Sequence, residues 1–436
     1  MSPGPARLKR SLGLFALVAY GVGDILGAGI YVLIGKMAGL VGNACWLSFL
    51  IALVVASLTG LSYAELSSRF PRSAGESYYS LKAFGRPLLS YLVGFLVLIS
   101  GVVSMAVVSQ GFTGYVTALC PFLPGPGVIL CFFLVLTVIN FWGMRESSVT
   151  NIFCTALEIS GILIVIAAGI GAFGRVNYLE ISPPAGMKVS TALSQGAVFA
   201  FYAFIGFEDM VKAAEESREP EKLIPRAIVW SIAIVACLYV LTALAAVSVV
   251  PAGELAKSQA PLALVVKTGF PGIPPALFTL IALFAVTNTA LVNFVMGSRL
   301  LYGMAREGLA PEAFAHIHPK RNTPDRAIIA LLAVALPLAL AGSLATLAQS
   351  NSLILLTVFF LVNVSLTVIK LRPAEAIPPF QIPVVIPILG ALTCLFLIFY
   401  IQAEAFVIAL SLVALALCLY LFAPSHRKNK ARQNGA

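Results

Sequence analysis

The chain has 436 residues, of which 60% are hydrophobic and 11% charged, with a mean hydropathy of +0.98 and a formal net charge of +10. That composition excludes a water-soluble fold, which needs polar residues over its whole surface, and makes lipid the solvent for much of the chain. It also excludes a membrane β-barrel, whose strands alternate polar and apolar residues, because continuous apolar runs of about 20 residues recur, each long enough for a helix to cross the hydrocarbon.

In chain order, a short basic segment (Arg7, Lys9, Arg10) leads straight into the first apolar run, with no signal-peptide cleavage pattern. Twelve spans follow, predicted at 13–36, 44–67, 88–118, 127–144, 150–173, 191–217, 226–250, 274–304, 326–343, 351–370, 384–402 and 404–423. They make one membrane domain, 1–424, followed by a disordered basic tail at 425–436. Twelve crossings place both termini on one side. With the termini cytoplasmic, 23 of the 28 Lys and Arg residues fall inside, and Lys36, Arg175, Lys188, Lys257 and Lys267 fall outside, the bias the positive-inside rule requires. The excess positive charge thus faces an anionic leaflet, and no nucleic-acid partner is expected. The seven cysteines follow no metal or disulfide spacing; Cys45 and Cys120 both lie near the outer side but are disfavoured as a pair.

The first span carries four glycines in nine positions, in Gly21-Val22-Gly23-Asp24-Ile25-Leu26-Gly27-Ala28-Gly29. Each weakens a helix by roughly 0.8–1.0 kcal/mol relative to alanine. The spacing does not fit a nucleotide-binding loop, and no βαβ unit surrounds it. Gly21 and Gly23 read equally well as packing positions between helices, but Gly27-Ala28-Gly29 stands one turn after the acid Asp24 at mid-membrane depth. The sixth span carries the counterpart, Tyr202-Ala203-Phe204-Ile205-Gly206-Phe207-Glu208-Asp209. Interrupted helices at matching positions of two oppositely oriented halves point to a transporter site, because unwound backbone at that depth must line a cavity. Spans 1–5 and 6–10 are read as those halves, about 13–173 and 191–370, with two additional helices at about 384–423. The fold class expected is an all-α membrane protein with a LeuT-like 5+5 inverted repeat in which helices 1 and 6 are discontinuous. The N–H groups opening the outer half of span 1, near Gly29, suit a solute carboxylate. The carbonyls ending the preceding half-helices suit an ammonium or a coupling cation.

Three stretches carry a family resemblance. Gly27-Ala28-Gly29-Ile30-Tyr31 resembles the Gly-Ser/Ala-Gly-Ile-Phe signature of amino acid–polyamine–organocation (APC) permeases. Phe204-Ile205-Gly206-Phe207-Glu208, with Ala214-Glu215-Glu216 and Ile224-Pro225-Arg226, resembles their sixth-helix motif, and Ser298-Arg299 through Gly308 their eighth-helix end. The likeness is to bacterial cationic amino acid transporter-like and arginine/agmatine exchanger-like members. It implies amino acids or related amines as substrates, alternating access by rocking of a helix bundle, and proton coupling or exchange in a bacterial inner membrane. Gly27, Ala28 and Gly29 would then take the substrate carboxylate, Ile205 and nearby carbonyls the amino group, and Tyr202 the place of an aromatic gate. Glu208 matches an acid implicated in proton sensing, and Asn293 a position where the exchangers stack an aromatic on a long side chain. Glu158 departs from the family, standing where many proton-coupled members carry a lysine.

Glu158 is expected to carry the coupling proton, alone or shared with Asp24, since a charge at mid-membrane costs on the order of 2.5–3.5 kcal/mol and needs a reason. Sodium coordination there, a structural hydrogen bond, and an amine or polyamine substrate remain the alternatives. Asp24 reads either as the partner of a cationic substrate group or as a brace for the broken helix. Asp209 is the expected cap of the inner half of span 6, and Pro225 belongs in the first turn of span 7. Glu65 and Arg69 fall where charges reach water, and the run from Glu215 to Lys222 reads as a solvated cytoplasmic face. No cofactor, metal or enzyme activity is expected, only a proton or sodium as coupling ion; the sequence gives no oligomeric state.

Overall fold

The computed structural model describes residues 12–71, 75–142, 148–372 and 377–422. The basic N-terminal residues, Arg72, Arg145 and the expected tail at 425–436 lie outside them. Span 1 is two helices, α1 (Leu14–Leu26) and α2 (Ala28–Val41), meeting at Gly27. There follow α3 (Cys45–Arg69), α4 (Gly75–Phe84), α5 (Pro87–Leu119), α6 (Gly125–Trp142) and α7 (Ser148–Gly169). Span 6 is α8 (Val189–Phe204), a break at Ile205-Gly206, and a 3-10 helix over Phe207–Glu216. After it come α9 (Pro220–Val249), α10 (Ala252–Lys257), α11 (Pro261–Gly269), α12 (Pro275–Arg306), α13 (Asp325–Ala341), α14 (Leu344–Lys370), α15 (Val385–Phe399) and α16 (Ala403–Phe422).

Nine described helical stretches are long and apolar enough to cross a bilayer, α2 and α3 being joined in one of them, and α1 and α15 are shorter apolar helices. With α1 and α2 counted as one interrupted helix, and α13 and α15 added, twelve helical stretches stand at the positions of the twelve expected spans.

The packing obeys an exchange of halves. α1 lies on α7 and α9, and α8 correspondingly lies on α14 and α3. α5 packs on α14 and α13, and its counterpart α12 packs on α7 and α6; α3 meets α9, and α5 meets α12, across the pseudo-symmetry axis. Even the connections correspond. α4, between spans 2 and 3, sits on α5, α14 and the 3-10 helix, while α10 and α11, between spans 7 and 8, sit on α2, with α11 also on α12 and α7. These three short helices fell in stretches read as loops, because none has an apolar run of membrane length. α15 and α16 lie outside the exchange, against α14.

Two local expectations are corrected, those for Pro225 and for Glu65 with Arg69. α9 begins five residues before Pro225, at Pro220, so Pro225 sits inside the helix and removes one ladder bond. Cys45 and Cys120 are free thiols. Glu65 and Arg69 do not reach water: the Glu65 side chain is 0% and that of Arg69 7% exposed. Glu65 accepts from Arg69 Nε at 2.9 Å, from Lys370 Nζ at 2.8 Å and from the Ile382 N–H at 2.9 Å. The lead-in to α15 folds over the end of α3, with the Phe380 N–H on Ser68 Oγ at 3.1 Å, and seals the cluster from solvent. No periodicity in the sequence announces that cover.

Glu65 is the acid that Arg69 and Lys370 share. Glu65→Ala removes the acid that buried Lys370 and Arg69 share and should cost about 3–5 kcal/mol, read as a lowered thermal midpoint in detergent; an unchanged midpoint would mean the cluster is hydrated.

Candidate functional site

The two breaks touch. α1 ends at Gly27, with φ −30° and ψ −150°, and α2 starts at Ala28, one residue before the expected Gly29. Gly206 has φ +131°, a conformation side chains resist. A Cβ on Gly206 would stand 2.7 Å from the carbonyl oxygen of Asp24, and one on Gly29 would stand 2.6 Å from Cα of Ala203. The end of α1 therefore lies on the break of span 6, and the start of α2 on the end of α8.

Polar groups from neighbouring spans satisfy the freed backbone. The Ala28 N–H donates to Thr289 Oγ1 of α12 at 3.1 Å. The hydroxyl of Tyr239, from α9, lies 2.7 Å from the Ile25 carbonyl and 2.8 Å from that of Ala203, so one hydrogen serves the ends of both half-helices. Glu208 is buried, and its Oε2 accepts from the Gly206 N–H at 2.8 Å. Glu208, and not Asp209, thus caps the inner half of span 6; Asp209 turns instead to an ion pair with Lys212.

Asp24 is partly buried, and its Oδ2 has no hydrogen-bond partner among the described residues. Glu208, Asp209, Lys212 and Glu158 all act on it electrostatically. Glu158, on α7, is 1% exposed. Its Oε1 accepts from Asn288 Nδ2 of α12 at 3.0 Å, its Oε2 has no described partner, and its backbone carbonyl accepts from the Tyr31 hydroxyl at 2.8 Å. Thr155, one turn earlier, donates to the Ala19 carbonyl at 3.3 Å and ties α7 to α1.

On the other flank, Ser104 of α5 lies 3.1 Å from the Tyr202 hydroxyl, and Asn293 Nδ2 donates to Ser104 Oγ at 3.1 Å. Tyr202 and Asn293 are thereby joined through a serine that sequence reasoning passed over. Asn293 lies beside Gly101 of α5, where an added Cβ would make an ordinary contact with Asn293 Oδ1 at 3.8 Å. Ile205, with ψ 137°, is partly exposed at the break. The structure thus gathers Asp24, Gly27, Ala28, Gly29, Ile205 and Glu208 at one junction, with Glu158 on one side and Tyr202 and Asn293 on the other. Ser104, Asn288, Thr289, Tyr31 and Tyr239 were missed. Ser104 and Thr289 carried a signal, since Ser100/Ser104 and Thr289/Asn293 repeat polar groups four residues apart on otherwise apolar helices. Among the described residues no cluster of three or more His, Cys, Asp or Glu could hold a metal.

Two interrupted helices crossing inside a bundle built from exchanged halves define a multi-pass membrane transporter, not an enzyme. The chain belongs to the amino acid permease family of the APC superfamily, whose family model matches residues 12–423. It is 29% identical to the branched-chain amino acid permease BcaP of Bacillus subtilis, over 98% of this chain and 95% of that protein. It is 33% identical to cationic amino acid transporter 9, chloroplastic, of Arabidopsis thaliana, over 72% of this chain and 58% of that protein. It is 28% identical to the methylthioribose transporter of Bacillus subtilis, over 95% of this chain and 94% of that protein.

Gly206→Ala should cost about 1–3 kcal/mol from backbone strain and push the break away from the Asp24 carbonyl. The expected result is a lower thermal midpoint and loss of solute-induced stabilisation in the same assay. Retention of both would mean the breaks tolerate separation.

Proposed function

We propose that the protein is a secondary active transporter of amino acids, working by alternating access in a bacterial inner membrane with both termini cytoplasmic. The observation that carries this reading is the crossing itself. The N-terminal end of α2 and the C-terminal ends of α1 and α8 meet at one point, so a positive and a negative helix end face the same small volume. That volume suits a zwitterion: a carboxylate at Gly27, Ala28 and Gly29, and an ammonium at Ile205 and the adjoining carbonyls. Thr289 Oγ1, already an acceptor for the Ala28 N–H, marks where a solute oxygen would bond. Tyr202 would close over the solute, and Asn293 would face its side chain, favouring a small or polar one. The relatives named for branched-chain and cationic amino acids support an amino acid as cargo.

Coupling is assigned to Glu158. It is buried, holds one donor on Oε1, and leaves Oε2 free to carry a proton. Glu208 sits at the break as the second acid of the coupling path. Cationic cargo, an amine or polyamine, is the second reading, as is sodium in place of the proton. Both are favoured by the same fact, that Asp24 Oδ2 and Glu158 Oε2 are buried acceptors without described donors.

Purified protein is to be screened by thermal shift against amino acids and carboxylate-free amines, with and without sodium. Stabilisation by amino acids is expected without a sodium requirement. Stabilisation by amines alone would overturn the favoured cargo. In proteoliposomes, Glu158→Gln should abolish the acceleration of uptake by an inward proton gradient; an unaltered pH dependence would remove Glu158 from coupling.

A further inference from the structure

The lipid-facing side of α3 and α9 carries a cleft that the helix junction does not use. It encloses about 530 Å³ between 50–61 of α3 and 229–240 of α9, within the size range of small-molecule sites. Small residues open it, Ser57, Gly60, Ala233 and Ala236, and larger aliphatic ones wall it. A Cβ on Gly60 would stand 2.5 Å from Ile232 Cδ1, so the two helices touch behind the cleft and close it toward the bundle. Ala233 and Cys237 are exposed along its length, and in an apolar span that exposure is to hydrocarbon.

Length and charge decide what fills it. Along α9 the cleft runs from Val229 to Val240, about 16 Å at 1.5 Å per residue. That is close to one leaflet, half of the roughly 30 Å of hydrocarbon; a partner transmembrane helix would need a seam across both leaflets. The lining carries no charged side chain, but the mouth does. Arg226 stands seven residues before Ala233 and eleven before Cys237, hence on their face of the helix. It is exposed and makes no hydrogen bond or ion pair among the described residues. The acid it acts on, Glu219, is already paired with Lys222 at 2.9 Å. Trp230, one turn further in and 57% exposed, is the kind of aromatic that marks a membrane–water interface. An apolar cleft one leaflet long, with an unpaired guanidinium at its interfacial end, matches one lipid chain and its phosphate.

We propose that this cleft is a binding site for one anionic phospholipid, with an acyl chain between α3 and α9 and its phosphate on Arg226. Bound there, the chain braces α3 against α9, both of which pack on the 3-10 helix of span 6. Assignment to the inner leaflet rests on the cytoplasmic termini proposed above; the contact itself does not, and it is tested in detergent.

Full-length protein in detergent is to be titrated with dioleoyl phosphatidylglycerol and dioleoyl phosphatidylcholine, the lipids retained being counted by native mass spectrometry. One phosphatidylglycerol should be retained in preference to phosphatidylcholine, and inorganic phosphate should not displace it. Arg226→Gln should weaken retention about fivefold, the worth of one cation at a lipid headgroup, and Arg226→Lys should keep most of it. Ala233→Trp, which fills an exposed position of the cleft, should abolish it. A phosphatidylglycerol with a diazirine on one chain should label 50–61 and 229–240 in the wild type, which keeps the test available if a variant does not fold. Equal retention of the two lipids, meaning annular lipid only, would overturn the proposal. So would wild-type retention in Ala233→Trp or Arg226→Gln, displacement by phosphate, labelling confined to other helices, or a co-purified polypeptide in place of the lipid. An absence of amino acid uptake would defeat the proposed cargo and leave this readout standing.

Discussion

The contact of Gly206 with the Asp24 carbonyl is the constraint from which the rest of the structure follows. Unwound backbone at mid-membrane cannot face lipid, since each unpaired group there costs several kcal/mol. Two breaks brought together at the centre of the bundle can share the groups that satisfy them. Tyr239 serves both carbonyl ends, Thr289 takes the Ala28 N–H, and Glu208 takes that of Gly206. Each of these side chains comes from a span that packing already places beside the junction. The same economy explains the glycines: Gly29 and Gly206 stand where another backbone leaves no room for a Cβ.

A bilayer makes some of this legible in a single sequence and hides the rest. Crossings are legible to within about seven residues, the starts of α9 and α14 lying furthest from expectation, because lipid imposes a length and a composition on each helix. The breaks were legible because glycine beside an acid has no other good reason to lie in an apolar run. What could not be read depends on which spans are neighbours. Asn288 and Glu158 are 130 residues apart, and Ser104 and Asn293 are 189 apart; no local pattern pairs them. The burial of Glu65 follows from a segment more than 300 residues later folding over it. The exchange of Glu208 and Asp209 as cap turns on the one-residue 3-10 phase, which sequence spacing does not set.

Charge is distributed unequally about the junction. At the outer half, the start of α2 offers N–H groups and no acid. Toward the inside lie Asp24 and Glu208 at the breaks and the Asp209–Lys212 ion pair on the 3-10 helix, and Glu158 lies to the side on α7. A zwitterion would fit this asymmetry with its carboxylate outward and its ammonium toward the acids. The family carries diverse cargo on this plan, as the names of its branched-chain amino acid, cationic amino acid and methylthioribose relatives show.

The central claim is that the crossed breaks hold both ends of an amino acid, and an experimental structure with a stabilising amino acid bound tests it most directly. The account predicts the solute carboxylate within hydrogen-bond distance of the N–H groups at Ala28 and Gly29, and its ammonium at the carbonyls beside Ile205. A solute bound away from both breaks, or with its ammonium at the start of α2, would contradict it.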